Sequence, residues 1–222
     1  MSDSQSSSSD PFSRPGGEGG GQTGPALLDA LYTRRSIRRY QDRPVPRALV
    51  EQALNAAIWA PSAHNRQPWR FAVVDTPENK ERLARAMGDR LRADLTADGV
   101  PVDVIERDAA RSYARITAAP VAVVLCLSMV DMDSYPDERR SRNEFLMAVQ
   151  SVALAGQNFL LAAHAAGLGA CWMCAPLFVP AVVCAALDLP DDWQPQALLT
   201  LGFPAEQREK TRHPLAHSVL WR

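Results

Sequence analysis

Apolar positions along the chain recur with two distinct periods, and these mark out most of its elements. Behind Pro46, whose missing N–H costs nothing at a helix start, Val50, Ala53, Leu54, Ala57 and Ile58 recur at helical spacing. They predict a helix with one face in the core. Residues 69–74 read as a strand. Residues 77–87 open a further helical region with Thr76 as N-cap. Residues 91–118 continue mostly helical, interrupted at Asp98-Gly99-Val100-Pro101. Residues 121–127 are an unbroken apolar, β-branched run, the pattern of a strand buried on both faces.

The stretch from about Asn143 to Ala166 has no polar face. Phe145, Leu146, Val149, Val152, Leu154, Phe159 and Leu160 fall on several sides of it, so it belongs in a large core or a subunit interface. Gln150, Gln157 and Asn158 interrupt it, so a membrane span is not expected. A short helix over 26–33, a helix over 178–187 and a strand over 194–203 complete the pattern. No internal repeat is visible.

Residues 1–25 are rich in Ser, Gly, Asp and Pro and bury too little apolar surface to offset ordering entropy. They are expected to be a disordered tail before one domain over 26–222. No basic region followed by an apolar run is present, so no signal peptide is expected and the location is read as cytoplasmic.

Composition changes this picture little. The chain has 222 residues, 46% hydrophobic and 22% charged, enough for one substantial core. A net charge of -1 leaves no global field for nucleic acid or an anionic membrane. Cys126, Cys171, Cys174 and Cys184 lie in apolar surroundings and are read as buried reduced thiols. Cys171-Trp172-Met173-Cys174 has a CxxC spacing, but no second ligand pair accompanies it, so no metal site is expected.

Two polar segments carry the candidate chemistry. Arg34-Arg35-Ser36-Ile37-Arg38-Arg39 is a compact arginine cluster. Each guanidinium offers five donors in a planar fork, which suits phosphate; a solvated face is the alternative. Ala60-Pro61-Ser62-Ala63-His64-Asn65-Arg66-Gln67-Pro68-Trp69 joins a helix to a strand through a loop dense in amides. Asn and Gln both donate and accept, as a polar ring edge requires; a loop of locally satisfied amides is the alternative. Trp69 and Phe71 are read as strand core, and His64 as exposed. A phosphorylated aromatic cofactor would use both segments.

These two segments, followed by Gly167-Leu168-Gly169-Ala170-Cys171-Trp172 and the stretch from Lys210 to Leu215, resemble the FMN-dependent nitroreductase family in kind and order. The resemblance implies an α+β fold with a central, mostly antiparallel sheet flanked by helices, and a homodimer with FMN at the subunit interface. It implies an oxidoreductase in which flavin N5 carries hydride between NAD(P)H, or another reduced donor, and a small-molecule acceptor. By resemblance Arg34, Arg35, Ser36, Ile37, Arg38 and Arg212 contact the phosphate and ribityl chain. Pro61, Ser62, Asn65 and Gln67 line the flavin, often from the partner subunit, and Cys174 lies by the ring.

Leu91-Arg92-Ala93-Asp94-Leu95, Asp98-Gly99-Val100-Pro101, Ser134-Tyr135-Pro136-Asp137 and Asp191-Asp192-Trp193-Gln194-Pro195 resemble a narrower group. This is the reductase domain of bacterial FbiB, in the biosynthesis of the deazaflavin coenzyme F-420. That resemblance implies reduction of dehydro-F-420-0 to F-420-0, with Asp94 meeting the deazaflavin; a general NAD(P)H-dependent nitro- or quinone reductase is the alternative. No GxGxxG follows a strand, so there is no Rossmann fingerprint, and the nitroreductase resemblance implies no separate nicotinamide domain.

Overall fold

The computed structural model describes residues 23–222, with the side chains described from residue 26 onward. The tail expected over 1–25 therefore lies, for residues 1–22, outside the described residues. Helix α1 (Thr23–Thr33) begins within its last three positions.

Four antiparallel strands form one sheet in the order β1-β2-β4-β3. They are β1 (Trp69–Val74), β2 (Val121–Leu127), β3 (Gly169–Met173) and β4 (Gln194–Gly202). The period-2 rule divides β2 between two cores. Val121, Val123, Leu125 and Leu127 face a core shared with Trp69, Ala197, Leu199 and Leu201. Ala122, Val124 and Cys126 face a second core with Val74 and Leu198. Every residue of β2 is buried, which is why its sequence shows no alternation. Between β2 and β4 the register shifts at Leu125/Cys126, opposite Pro195, which has no N–H to give a ladder.

Helices α2 (Arg47–Ala57) and α5 (Glu138–Ala165) cover the first face. Helices α3 (Pro77–Ala97), α4 (Val102–Thr117) and α6 (Pro180–Leu187) lie on the side of the second core. Thr76 caps α3 as expected, its Oγ1 accepting from Asn79 N at 3.3 Å. Lys80 is buried and crosses to the α4–β2 turn, where Nζ donates to Ala119 O at 2.6 Å.

α5 starts five residues before the expected position. Asp137 caps it, Oδ1 accepting from Arg140 N at 3.0 Å, and these donors hold the Asp137 carboxyl below its usual range. The helix is long and apolar enough by length and composition to cross a bilayer, yet Val152, Ala155 and Phe159 are buried in the first core. Phe145, Leu146 and Leu154 remain exposed on its outer side. β3 was not expected from its sequence. The positive φ of Gly167 (77°) turns the chain out of α5 and into it.

Candidate active site

The arginine segment is laid against the β3–β4 edge by backbone pairing. Ser36 bridges Ala170 in parallel, with Ile37 N donating to Ala170 O at 3.0 Å, and Tyr40 bridges Pro204. The Tyr40 hydroxyl donates to Ile37 O at 2.7 Å and accepts from Thr200 Oγ1 at 2.7 Å. Burial of that phenol drives its pKa well up, so it stays neutral. Ile37, assigned to the cofactor above, is buried. It packs on Gly169, where an added Cβ would lie 2.8 Å from Ile37 Cβ. Alternation then turns Ser36 and Arg38 away from the core.

Arg34, Arg35, Ser36, Arg38, Arg208, Lys210 and Arg212 line a cavity of about 170 Å³. Five of these were assigned from the sequence; Arg208 and Lys210 were not. Their i, i+2 spacing with Arg212 was the available signal, because an extended chain sends alternate side chains to one side. Burial, then the neighbouring Arg212 and Arg35, push the Arg34 pKa down. Concentrated positive charge of this kind calls for an anion.

Glu206 and Glu209 lie beside the cluster. Glu206 accepts from Arg38 N at 2.8 Å and Arg39 N at 3.2 Å, and pairs with Arg208 at 2.8 Å. The Arg208 bond, then the two backbone donors, hold its carboxyl at about 2. Arg35 Nη1 folds back onto Tyr32 O at 2.6 Å, a cation at the C-terminus of α1, while Arg35 Nε is buried without a partner.

A second cavity of about 410 Å³ adjoins, sharing Arg34, Arg35 and Arg208 and floored by Ile37, Leu160, Leu168 and Ala170. His164 lines it, bonded to Thr33 Oγ1 at 2.8 Å. The Thr33 hydroxyl proton goes to Asp29 O at 2.7 Å, so the imidazole Nε2–H must be the donor. Burial and the adjacent Arg34 lower the His164 pKa.

The amide loop lies elsewhere on the chain. Residues 63–65 form a short 3-10 turn in which His64 (φ 49°) and Asn65 (φ 55°) are left-handed, and Gln67 (φ 51°) follows them. Each non-glycine residue there costs about 1–2 kcal/mol, so three in four positions need external support. Ser62 Oγ accepts from Gln67 N at 3.1 Å, and Ser151 Oγ on α5 accepts from Ala63 N at 3.2 Å. Gln67 Nε2 donates to Asn65 Oδ1 at 3.3 Å, and both side chains are exposed, as is His64.

Neither cavity is lined by Pro61, Ser62, Asn65, Gln67, Cys174 or Asp94. Cys174 is exposed, its sulfur accepting from Trp172 Nε1 at 3.2 Å, and Cys184 is half-buried. The expected burial of all four thiols thus holds for Cys126 and Cys171 alone; burial pushes the Cys126 thiol up to about 12. Asp94 sits on α3, paired with Arg90 at 2.8 Å one turn earlier. Among the described residues, no group of three or more His, Cys, Asp or Glu side chains could hold a metal ion.

The model of the Nitroreductase family matches residues 31–203, most of the chain and both candidate segments. The chain belongs to the nitroreductase family. This nitroreductase-family chain is 34% identical over 218 residues to an NADH dehydrogenase of Thermus thermophilus, covering 87% of this chain and 94% of that one. It is 32% identical over 192 residues to the 5,6-dimethylbenzimidazole synthase of Rhodospirillum rubrum, covering 85% and 84%. Among solved structures, a Desulfovibrio desulfuricans protein in complex with FMN superposes with a TM-score of 0.68 at 29% identity, covering 88% of this chain and 96% of that one. A BluB-like flavoprotein from Clostridium difficile reaches a TM-score of 0.73 at 23% identity, covering 88% and 98%, and shows the shared fold. The nitroreductase-like α+β fold with its antiparallel sheet is therefore as expected.

Proposed function

We propose that this chain is an FMN-dependent oxidoreductase that passes reducing equivalents from NAD(P)H to a small organic acceptor. The observation that carries the reading is the cationic cavity. Arg34, Arg38, Arg208, Lys210 and Arg212 converge there with Ser36, and the carboxylate of the bordering Glu206 is already engaged by Arg208 and two backbone donors. A phosphate monoester dianion fits that donor set, and its charge would offset the burial, and after it the neighbouring Arg212 and Arg35, that lower the Arg34 pKa. FMN, when bound, supplies the hydride chemistry; the protein holds it, orients it and sets its surroundings.

The loop meets the middle of α5, and the cavity its C-terminal end. Ala63 is tied to Ser151 and the adjoining cavity reaches His164, about 20 Å along the helix at 1.5 Å per residue. A single chain thus separates its phosphate site from its amide loop. A two-fold dimer packed through the outer side of α5 would bring one subunit's loop to the other's cavity. Exposed Phe145, Leu146 and Leu154 on α5, Leu28 and Leu31 on α1, and Trp221 near the C-terminus supply apolar surface for it. In that arrangement the Asn65 and Gln67 amides would be placed to donate to and accept from the ring edge, while the arginines would hold the phosphate.

Relatives near one-third identity include both an NADH dehydrogenase and a 5,6-dimethylbenzimidazole synthase, so likeness alone does not choose the acceptor. They support the broad NAD(P)H oxidoreductase over the narrower reduction of dehydro-F-420-0, which rests on the four middle segments. Steady-state assays of FMN-loaded protein with NADH or NADPH and a nitroaromatic or quinone test the broad reading; turnover with either donor supports it. Turnover of dehydro-F-420-0 far above that of nitroaromatics would replace it with the narrow one. In that case Asp94→Ala should raise only the KM for the deazaflavin. A protein that takes up no FMN would end both.

A further inference from the structure

The Ser62–Gln67 loop holds three non-glycine residues in the left-handed region. Serine hydroxyls accept from Ala63 N and Gln67 N, and Asn65 N and Arg66 N donate to Ser62 O and Ala63 O, but none of these bonds ties the loop to the β2–α5 connection beside it. We propose that two ion pairs, Arg66–Asp133 and Arg70–Asp131, act as a clamp that keeps these amides in their flavin-facing geometry. The inference rests on the flavin reading above and assigns positioning residues that never touch the cofactor.

The clamp is built at one end of the antiparallel β1–β2 pair. Beyond the Trp69–Leu127 pair, Ser128 N donates to Pro68 O at 2.8 Å, carrying the β1–β2 ladder into the two loops. Asp131 and Asp133 lie just past that bond on the β2–α5 connection. Arg66, the residue between the left-handed Asn65 and Gln67, pairs with Asp133. Arg70 pairs with Asp131 at 3.1 Å, and its other amino group donates to Gln67 O at 3.2 Å. A guanidinium therefore grips the loop on each side of Gln67.

The acidic side is itself anchored. Asp133 N donates at 3.2 Å to Oε1 of Glu144, a carboxylate 1% exposed on α5. Glu144 lies two turns before Ser151, and both are buried on the core side of the same helix. One helix thus fixes the loop from below through Ser151 and from the side through Glu144 and Asp133.

Both pairs stay open to solvent, 43%/36% exposed for Arg66–Asp133 and 27%/58% for Arg70–Asp131 with Arg70 half-buried, so each adds little to global stability. Their effect falls on the fraction of molecules whose loop is ready to bind, and ligand affinity scales with that fraction.

The test measures FMN and riboflavin binding to flavin-free protein by equilibrium titration, for wild type, Asp133→Asn, Asp131→Asn and the double variant. Each single change is expected to weaken both flavins about threefold and the double about tenfold. Inorganic phosphate should bind unchanged, because the cationic cavity is intact, and the melting temperature should fall by no more than about 3 °C per variant. Exchanging the charges (Arg66→Asp with Asp133→Arg) should restore most of the loss in Asp133→Asn. Unchanged flavin affinity in the double variant would overturn the clamp and leave the flavin reading standing. So would a loss that follows dimer dissociation or melting and that the exchanged pair does not restore. A wild type that binds neither flavin would sink the flavin reading, and the clamp with it.

Discussion

The two polar segments of this nitroreductase-family chain are held by opposite means. The arginine segment is fixed by backbone: a parallel bridge at Ser36–Ala170, an antiparallel bridge at Tyr40–Pro204, and Ile37 seated on Gly169. The amide loop has no strand beneath Asn65 or Gln67, and side chains from α5 and the β2–α5 connection hold its strained backbone. The comparison teaches where each segment is vulnerable. The charged site fails when its seat is filled, and the neutral one when distant side chains let go.

The largest effect should come from filling the seat. Gly169→Val places atoms where even a Cβ lies 2.8 Å from Ile37, and Ile37 is branched and buried. About 3 kcal/mol of stability should be lost, with the arginine segment lifted from β3. Urea unfolding and FMN titration of the same protein would show both. Unchanged stability would mean that the seat does not fix the segment.

Arg38→Ala leaves the seat intact and removes one guanidinium from the cavity. FMN affinity should fall by about 1.5–3 kcal/mol, with riboflavin, which lacks the phosphate, nearly unaffected. Silence of Arg38→Ala, Arg34→Ala and Arg212→Ala together would place the phosphate elsewhere. In the other region, Ser151→Ala removes the acceptor for Ala63 N and should cost about 1 kcal/mol of stability. Flavin affinity should fall with it, for FMN and riboflavin alike.

The smallest effect is electrostatic. Glu206 is held at about 2, below its ordinary 4.5, so its contribution is fully present above the unfolded value and fades as pH falls toward 2. Glu206→Gln should therefore be less stable than wild type at pH 7. The gap should narrow through the window from about 4.5 down to about 2. Denaturant midpoints across that range would check the sign.

The fold was legible where one face or both faces of an element had a clear destination. β2 showed itself as an unbroken apolar run, and α2 as Val50, Ala53 and Ala57 on one stripe. β3 was hidden because Gly-Ala-Cys has weak strand propensity and the Gly167 turn dominates its start. The first turn of α5 was hidden because Glu138-Arg139-Arg140-Ser141-Arg142 has no apolar period; only the Asp137 cap marks it. In the candidate site, residue types singled out the arginine cluster that holds Arg34, Ser36 and Arg38, and the family resemblance added Arg212; all four line one cavity. Arg208 and Lys210 were visible only as an alternation in a segment without regular structure. The clamp was not legible, because Arg66 and Asp133 are 67 residues apart and meet only through the β1–β2 ladder.

The central claim, that one subunit's cationic cavity works with the other subunit's amide loop, has a direct test in mixed dimers. One parent carries Arg34→Ala and Arg38→Ala, the other Asn65→Ala and Gln67→Ala, and each should bind FMN weakly as a homodimer. Co-expressed and purified as the heterodimer through two different tags, they should regain one tight site per dimer. That site joins the intact cavity of one subunit to the intact loop of its partner. A heterodimer that binds FMN no more tightly than either parent would contradict the shared site.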